Sequence, residues 1–450
     1  MEPVHPTDSQ ELLRRLHERP QKNLEEWLET PAHIHHSAHR MANPPAERPQ
    51  SREEFQQILR CLDVPPETTV VSDKFGYGVR IAANGDRLIL IWEAHTEYYS
   101  NQVWHIPSDK AASLSFGPIT FPGYTFPVAP IGLRVNALDI LITQGTQISE
   151  EGVRPLLPGP IRYGSRVFGG DIAVITAFTP DEDDRERYLV VSPSSPPPVS
   201  HLLRLVDSIV KIETYYHLTL MKHPQFSSAV DQVYKFEQLH LKQREIITAQ
   251  LSEATSMTLQ RWLNGLTEDM MKVSRLAGAM HYELSAAIPY DRIVQTTIRA
   301  LREEPLSPFR PLSDFLIGGI SGVADGYQQF LRRIDTLQSG FEGIVAIIRA
   351  RIDLLLESQN LALLTSVAQA TKSQAILQHT VEGLSVIVIA YYLSSLGGYI
   401  FKGLQELGWI HNTNVATALF VPIAVGLSFA LTALSRKVIR KRLLSGGDKK

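Results

Sequence analysis

The chain has 450 residues, of which 44% are apolar and 20% charged, with 28 Pro, 28 Gly and a single Cys. That length supports two or three domains with ample buried core, and the composition is neither disordered nor collagen-like. Cys61 alone excludes a disulfide framework and a cysteine zinc cage, and a net charge of −3 excludes a generally basic nucleic-acid binder.

Residues 1–50 are polar and rich in Pro and His, with His5, His17, His33, His35, His36 and His39 crowded together. They read as a polar His-rich arm, partly ordered, with one helix over Ser9–Arg19 that Ser9 caps and Pro20 stops. His33 and His35 would share one face of an extended strand, and neutral imidazoles are common metal ligands. A second short helix is expected over Arg52–Leu62.

Residues 51–191 form the next division, a mixed α/β domain. Strand-like runs occur at Val70–Val71, Gly78–Ile81, Arg87–Trp92 and Tyr98–His105, with Asn84-Gly85-Asp86 as a hairpin signal. Leu138–Thr143, Asp171–Phe178 and Tyr188–Val191 are further strands. The Pro-rich stretch 192–199 reads as an extended linker.

Residues 200–382 read as a helical bundle and stalk. Leu202, Leu205, Val206, Ile209, Ile212 and Tyr216 recur at helical spacing, and Pro224 ends that helix. Further helices are expected over Ser227–Leu251, Thr258–Ala287 and Asp291–Glu304, with breaks at Pro305, Pro308 and Pro311. No proline follows until Pro422, and Gly340 with Gly343 marks an expected joint. From Ile344 one helix is expected to run towards the apolar C-terminal end, and a helix that long must pack on something. The stripe Ile344, Ile347, Ile348, Leu354, Leu355, Leu361, Ala362 and Ala368 suggests either coiled-coil self-association or packing within the chain.

Residues 383–435 read as a transmembrane hairpin. Gly383–Phe401 and Asn414–Ser435 carry no charge, and about 19 residues at 1.5 Å each approach the hydrocarbon thickness of a bilayer. Residues 436–450 hold seven Lys or Arg against one Asp. The positive-inside rule places this tail, and with a hairpin also the N-terminal body, in the cytoplasm. The start MEPVHPTDSQ has neither a basic n-region nor an apolar h-region.

Few residues suggest chemistry. His95 and Glu97, with Glu93, alternate after a strand and could bind a cation or act as a base. His379 and Glu382 precede the first span and could ring a pore mouth in an oligomer. The G-x-G-x-x-G, P-loop, G-x-S-x-G and H-E-x-x-H patterns are absent.

Several stretches resemble the domain-of-unknown-function 3422 family, a set of predicted membrane-anchored bacterial proteins. They are His17-Glu18-Arg19-Pro20, Trp92 with His95-Thr96-Glu97, Ile212-Glu213-Thr214-Tyr215, and Glu357-Ser358-Gln359-Asn360. The same holds for Thr380-Val381-Glu382-Gly383-Leu384-Ser385-Val386 with Tyr391-Tyr392. The resemblance implies a membrane anchor and supplies no reaction. The order of a cytosolic α/β domain, a long stalk helix, two spans and a basic tail is also similar to the CorA class of divalent-cation channels. The Gly-Met-Asn signature of that class is missing, and Gly397-Gly398-Tyr399 occupies the region.

The expected fold is therefore α+β: a mixed α/β cytosolic domain, a long-helix bundle or stalk, and a two-helix transmembrane hairpin in a CorA-like arrangement. The expected function is that of a non-enzymatic, oligomeric scaffold or sensor in the bacterial inner membrane, with both termini cytoplasmic. Its expected partners are the lipid bilayer, further copies of itself and an unknown cytosolic ligand or protein, with no nucleic acid. No cofactor is expected beyond a divalent cation at His95 and Glu97. The alternative is a CorA-like divalent-cation channel without the signature.

Overall fold

The structure, a computed structural model, describes residues 24–124, 130–145, 148–170, 172–192 and 198–445, the side chains of 435–445 excepted. The expected helix Ser9–Arg19, His5, His17 and the basic side chains of the tail lie outside the described residues. The fold is α+β, with an N-terminal sheet domain, long helices and two apolar C-terminal helices. It divides into two compact units, Met1–Gln250 with Asn264–Val345, and Leu251–Leu263 with Ala346–Lys450.

The first unit is built on one ten-stranded sheet. Its strands are β1 (Ala32–Arg40), β2 (Thr69–Val71), β3 (Phe75–Ile81), β4 (Arg87–Ala94), β5 (Tyr98–Ile106), β6 (Leu133–Gln144), β7 (Tyr163–Val167), β8 (Ile172–Pro180), β9 (Glu186–Ser192) and β10 (Glu304–Pro305), in the order β10-β7-β8-β9-β6-β1-β5-β4-β3-β2. β6 and β9 are parallel, and the other neighbours are antiparallel.

The expected polar arm is corrected here. Its residues 32–40 form β1, a central strand paired with β5 on one side and β6 on the other. The physical reason lies in the period-2 alternation of AHIHHSAHR. Ala32, Ile34 and Ala38 are buried with no exposed surface, on the face opposite His33, His35 and Ser37. The histidines hid that alternation by reading as solvated groups. The first helix, α1 (Pro44–Cys61), also begins earlier than expected, with prolines in its first turn, where no intrahelical N–H is lost.

Helices α2 (Glu150–Val153), α3 (Val199–Leu220), α4 (His223–Gln250), α5 (Ser256–Leu284) and α6 (Ala287–Leu301) follow, then α7 (Leu312–Glu406) and α8 (Thr413–Ser445). The stripe Leu202, Leu205, Val206, Ile209 and Ile212 of α3 packs on one sheet face, against Ile34, Leu138, Ile140 and Val190. Val294 and Ile298 of α6, and Leu316 and Ile320 of α7, complete that layer. Of the expected bundle, α3, α6 and the start of α7 thus share the sheet's core. The linker 192–199 shrinks from both ends, because Ser192 closes β9 and Val199 opens α3. Gly340 and Gly343 lie inside the helix Leu312–Glu406, and the division between the two units follows at Val345.

The opposite sheet face carries two apolar patches. Phe55, Ile58 and Leu59 of α1 cover Leu88, Leu90 and Trp92. Leu141, Ala173, Ile175 and Leu189 pack with Val153, Leu157, Leu306 and Phe309. β1 lies between these patches in the strand order, and its polar side chains face a space neither patch fills.

In the second unit, two helices are long and apolar enough to cross a membrane, the later part of α7 and Thr413–Leu434 of α8. Only 11% of each apolar window is buried, which separates them from the core helices of a soluble protein. Gly397 approaches Phe420, and the rings of Phe401 and Phe420 meet edge to face at 5.5 Å.

Candidate functional site

The polar side chains of β1 open into a cavity of about 780 Å³. Its walls include His35, Ser37, His39, Asn101, Tyr124, Arg134, Asp139 and Arg185. Antiparallel pairing sets this lining. His33 stands opposite Leu141, and His35 opposite Asp139, so two residues along each strand return to the same face. His39 shares the alternation of His33 and His35 along β1 and so lies on the cavity side, where its ring stacks on Tyr99, while the register shift beside it is taken up on β6 at Val135.

At the floor, Asp139 has no exposed surface. His33 Nε2 lies 2.7 Å from Asp139 Oδ1, and the Gly117 N–H donates to Oδ2 at 2.9 Å. His35 Nε2 bonds the Gly117 carbonyl at 2.9 Å and lies 3.8 Å from Asp139 Oδ2. One donor atom from each of His33, His35 and Asp139 falls within 4.8 Å of the others. A tetrahedral ion with bonds of 2.0–2.2 Å spaces its donors about 3.4 Å apart. The 2.7 Å from His33 to Oδ1 and the 3.8 Å from His35 to Oδ2 lie on either side of that value, each to its own oxygen of Asp139. Two imidazoles and a carboxylate also suit first-row divalent metals.

The electrostatics favour neutral rings. Burial, then the charge of Arg185, pushes the His35 imidazole down to about 4. Burial, then Arg134, brings His39 to about 4. Higher on the wall, His39 Nδ1 and Asn101 Oδ1 are buried without a hydrogen-bond partner among the described residues. Such groups are matched by water or by a ligand, since a buried orphan costs about 1–3 kcal/mol.

A second donor group lies on the opposite, helix-covered face. Glu186 begins β9, and Glu213 and His217 sit four residues apart on α3. His217 Nε2 is 2.8 Å from Glu186 Oε1 and 3.6 Å from Glu213 Oε2, and the Tyr188 hydroxyl donates to Glu213. Burial, then the neighbouring Glu186, pushes Glu213 up to about 8. Burial opposes charge on His217, yet its hydrogen bonds to both carboxylates outweigh this and raise it to about 10.

The residues singled out in the sequence are placed elsewhere. His95 follows β4, with Nε2 3.6 Å from Glu93 Oε2. Glu97 accepts from the Tyr290 hydroxyl. The two line a shallow cleft with Arg48, Lys74 and Tyr290, and neither joins a three-donor group among the described residues. His379 Nδ1 lies 3.8 Å from Glu382 Oε2, one turn apart on the exposed part of α7. Asp139, Glu186, Glu213 and His217 were not singled out in the sequence as candidate donors. The four-residue spacing of Glu213 and His217 on a clear helix was the available signal. Asp139 gave none, because its role depends on pairing with β1.

A family model described as a protein of unknown function (DUF3422) matches residues 5–439. The chain belongs to this family. No curated protein matches this DUF3422 sequence. Among solved structures it is similar to one titled the complete structure of CorA magnesium transporter from Methanocaldococcus jannaschii. That likeness covers 65% of the DUF3422 chain and 89% of the other, at 10% identity and a TM-score of 0.13. A score that low carries no argument about fold or function.

Proposed function

We propose that this DUF3422 protein is a membrane-anchored, non-enzymatic sensor whose sheet unit binds a divalent cation at His33, His35 and Asp139. The observation that carries the reading is the tie between these donors and Gly117. The loop holding Gly117 donates its N–H to Asp139 and accepts from His35. An ion at the floor needs the His35 lone pair, so its arrival takes His35 from the Gly117 carbonyl. Occupancy is thereby converted into release of a loop that also forms the cavity wall. A small polar ligand above the ion would meet His39, Asn101 and Arg185.

The anchor is the α7–α8 hairpin, in the bacterial inner membrane with both termini cytoplasmic. Its support is the uncharged runs and the basic tail. The protein is also proposed to be a homo-oligomer joined along α7. Leu354, Leu361 and Leu364 of the expected stripe region are each more than half exposed there. The test is a titration of Zn²⁺ into the full-length protein in detergent, by calorimetry. Loss of one tight site in His35→Ala supports the reading, and equal binding by that variant sinks it.

The channel reading comes second. Ser394, Ser395 and Thr417 line a cleft in the hairpin, the sole observation that favours a polar path. Cation flux into liposomes that falls in Glu382→Ala would favour it over the sensor. A sensor gives no flux.

A further inference from the structure

The buried group on the helix-covered face has no part in the cavity and stands on its own observations. Glu186 is 8% exposed, Glu213 1% and Tyr188 3%. Two carboxylates held out of water need compensating charge, because a buried ion is stable only when paired and fully hydrogen-bonded. The compensation present comes from His217 and Tyr188. Both carboxylates share one imidazole nitrogen, and Glu213 takes one further hydrogen bond from Tyr188. Neither forms an ion pair with Lys or Arg among the described residues. Glu186 Oε2 is buried with no N–H or hydroxyl donor among the described residues, on the side chain whose other oxygen meets His217, and the Glu213 carboxyl meets Glu186 only through a shared proton.

We propose that Glu186, Glu213 and His217 form a second divalent-cation site, for an ion that accepts mixed carboxylate and imidazole donors, such as Mn²⁺. The donor atoms lie within 4.8 Å of one another, close enough for a single ion. One imidazole with two carboxylates is a donor set of the Mn²⁺, Fe²⁺ and Zn²⁺ class. The ion takes the place of the protons that His217 and the carboxylates otherwise hold between them, and Glu186 Oε2 becomes a ligand atom. Tyr188 keeps its hydrogen bond to Glu213 and orients that carboxylate, as outer partners do in metal sites. The His217 side chain is 29% exposed and provides the way in. Such a site clamps the start of β9 to α3, so it fastens the sheet to its helical cover.

The experiment uses full-length protein in detergent carrying His35→Ala, which removes the cavity site from the count. Free Mn²⁺ is followed by electron paramagnetic resonance during titration. One bound Mn²⁺ per chain is expected, weakened at least roughly tenfold by Glu213→Gln and by His217→Gln. Near-UV circular dichroism checks that each variant is folded. Glu213→Gln preserves the buried shape, and His217→Gln, at a partly exposed position, serves where Glu213→Gln does not fold. Equal Mn²⁺ binding by parent and variants overturns the proposal. So does the absence of bound Mn²⁺ in the parent, which assigns the two carboxylates a shared proton. Because the background already lacks His35, neither result depends on the cavity reading.

Discussion

Asp139→Ala removes the group on which the cavity floor converges. The side chain is fully buried and accepts two hydrogen bonds, from His33 Nε2 at 2.7 Å and Gly117 N at 2.9 Å. Bonds to a charged acceptor contribute roughly 1.5–3 kcal/mol each, so the variant should lose about 3–6 kcal/mol. For a unit of the size Met1–Gln250 with Asn264–Val345, 1 kcal/mol moves the midpoint by about 1–2 °C, which puts the expected fall at about 5–10 °C. Asp139→Asn keeps one acceptor oxygen and should lose about half as much. The assay is thermal unfolding of the full-length protein in detergent with chelator present. Tryptophan fluorescence reports on it, because Trp92 and Trp104 are buried in the sheet. An Asp139→Ala midpoint within about 2 °C of the parent would refute the reasoning, since a deleted buried acceptor with two donors cannot be that silent.

Three other outcomes follow from the same geometry. Burial pushes His36 down to about 3 and His39 to about 4, so both are neutral in the fold and gain protons on unfolding. Their contribution is fully present above pH 6.5 and is lost as the pH falls towards 4 and below, so the melting midpoint should drop over that window and drop less in His36→Gln. Gly132 has φ +86°, and a Cβ there would lie 2.3 Å from the Arg40 carbonyl oxygen, so Gly132→Ala should destabilise by about 2 kcal/mol or more in denaturant titration. In the second unit a Cβ on Gly397 would lie 2.5 Å from Phe420 Cε1, so Gly397→Leu should lengthen the distance between spin labels on α7 and α8, and an unchanged distance would show that this contact does not set the hairpin.

Elements whose signal is local were readable in the sequence. The α3 stripe falls on the core residues it named, because a 3.6-residue period needs no knowledge of the partner surface. The Asn84-Gly85-Asp86 turn joins β3 to β4, with Gly85 at φ +86°, as a tight hairpin requires. The two apolar runs were equally plain, since the absence of charge over about 19 residues is itself the signal. β1 was not readable in this way. Its buried face consists of small or singly spaced apolar residues, and its other face consists of histidines that only the β6 pairing makes internal. His33 and His35 were correctly placed on one face of an extended strand, yet their third partner, Asp139, is more than a hundred residues away. His95 and Glu97 lie where alternation gives no guidance, in the turn between β4 and β5.

The direct measurement is X-ray absorption at the zinc edge on full-length His217→Ala protein loaded with one equivalent of Zn²⁺. That variant leaves the cavity as the intact three-donor group among the described residues. A floor site built from His33, His35 and Asp139 gives the scattering signature of two imidazoles with oxygen at about 2.0–2.2 Å. A shell of oxygen alone, or a signature unchanged when His35→Ala is added, would contradict the sensor account at its centre.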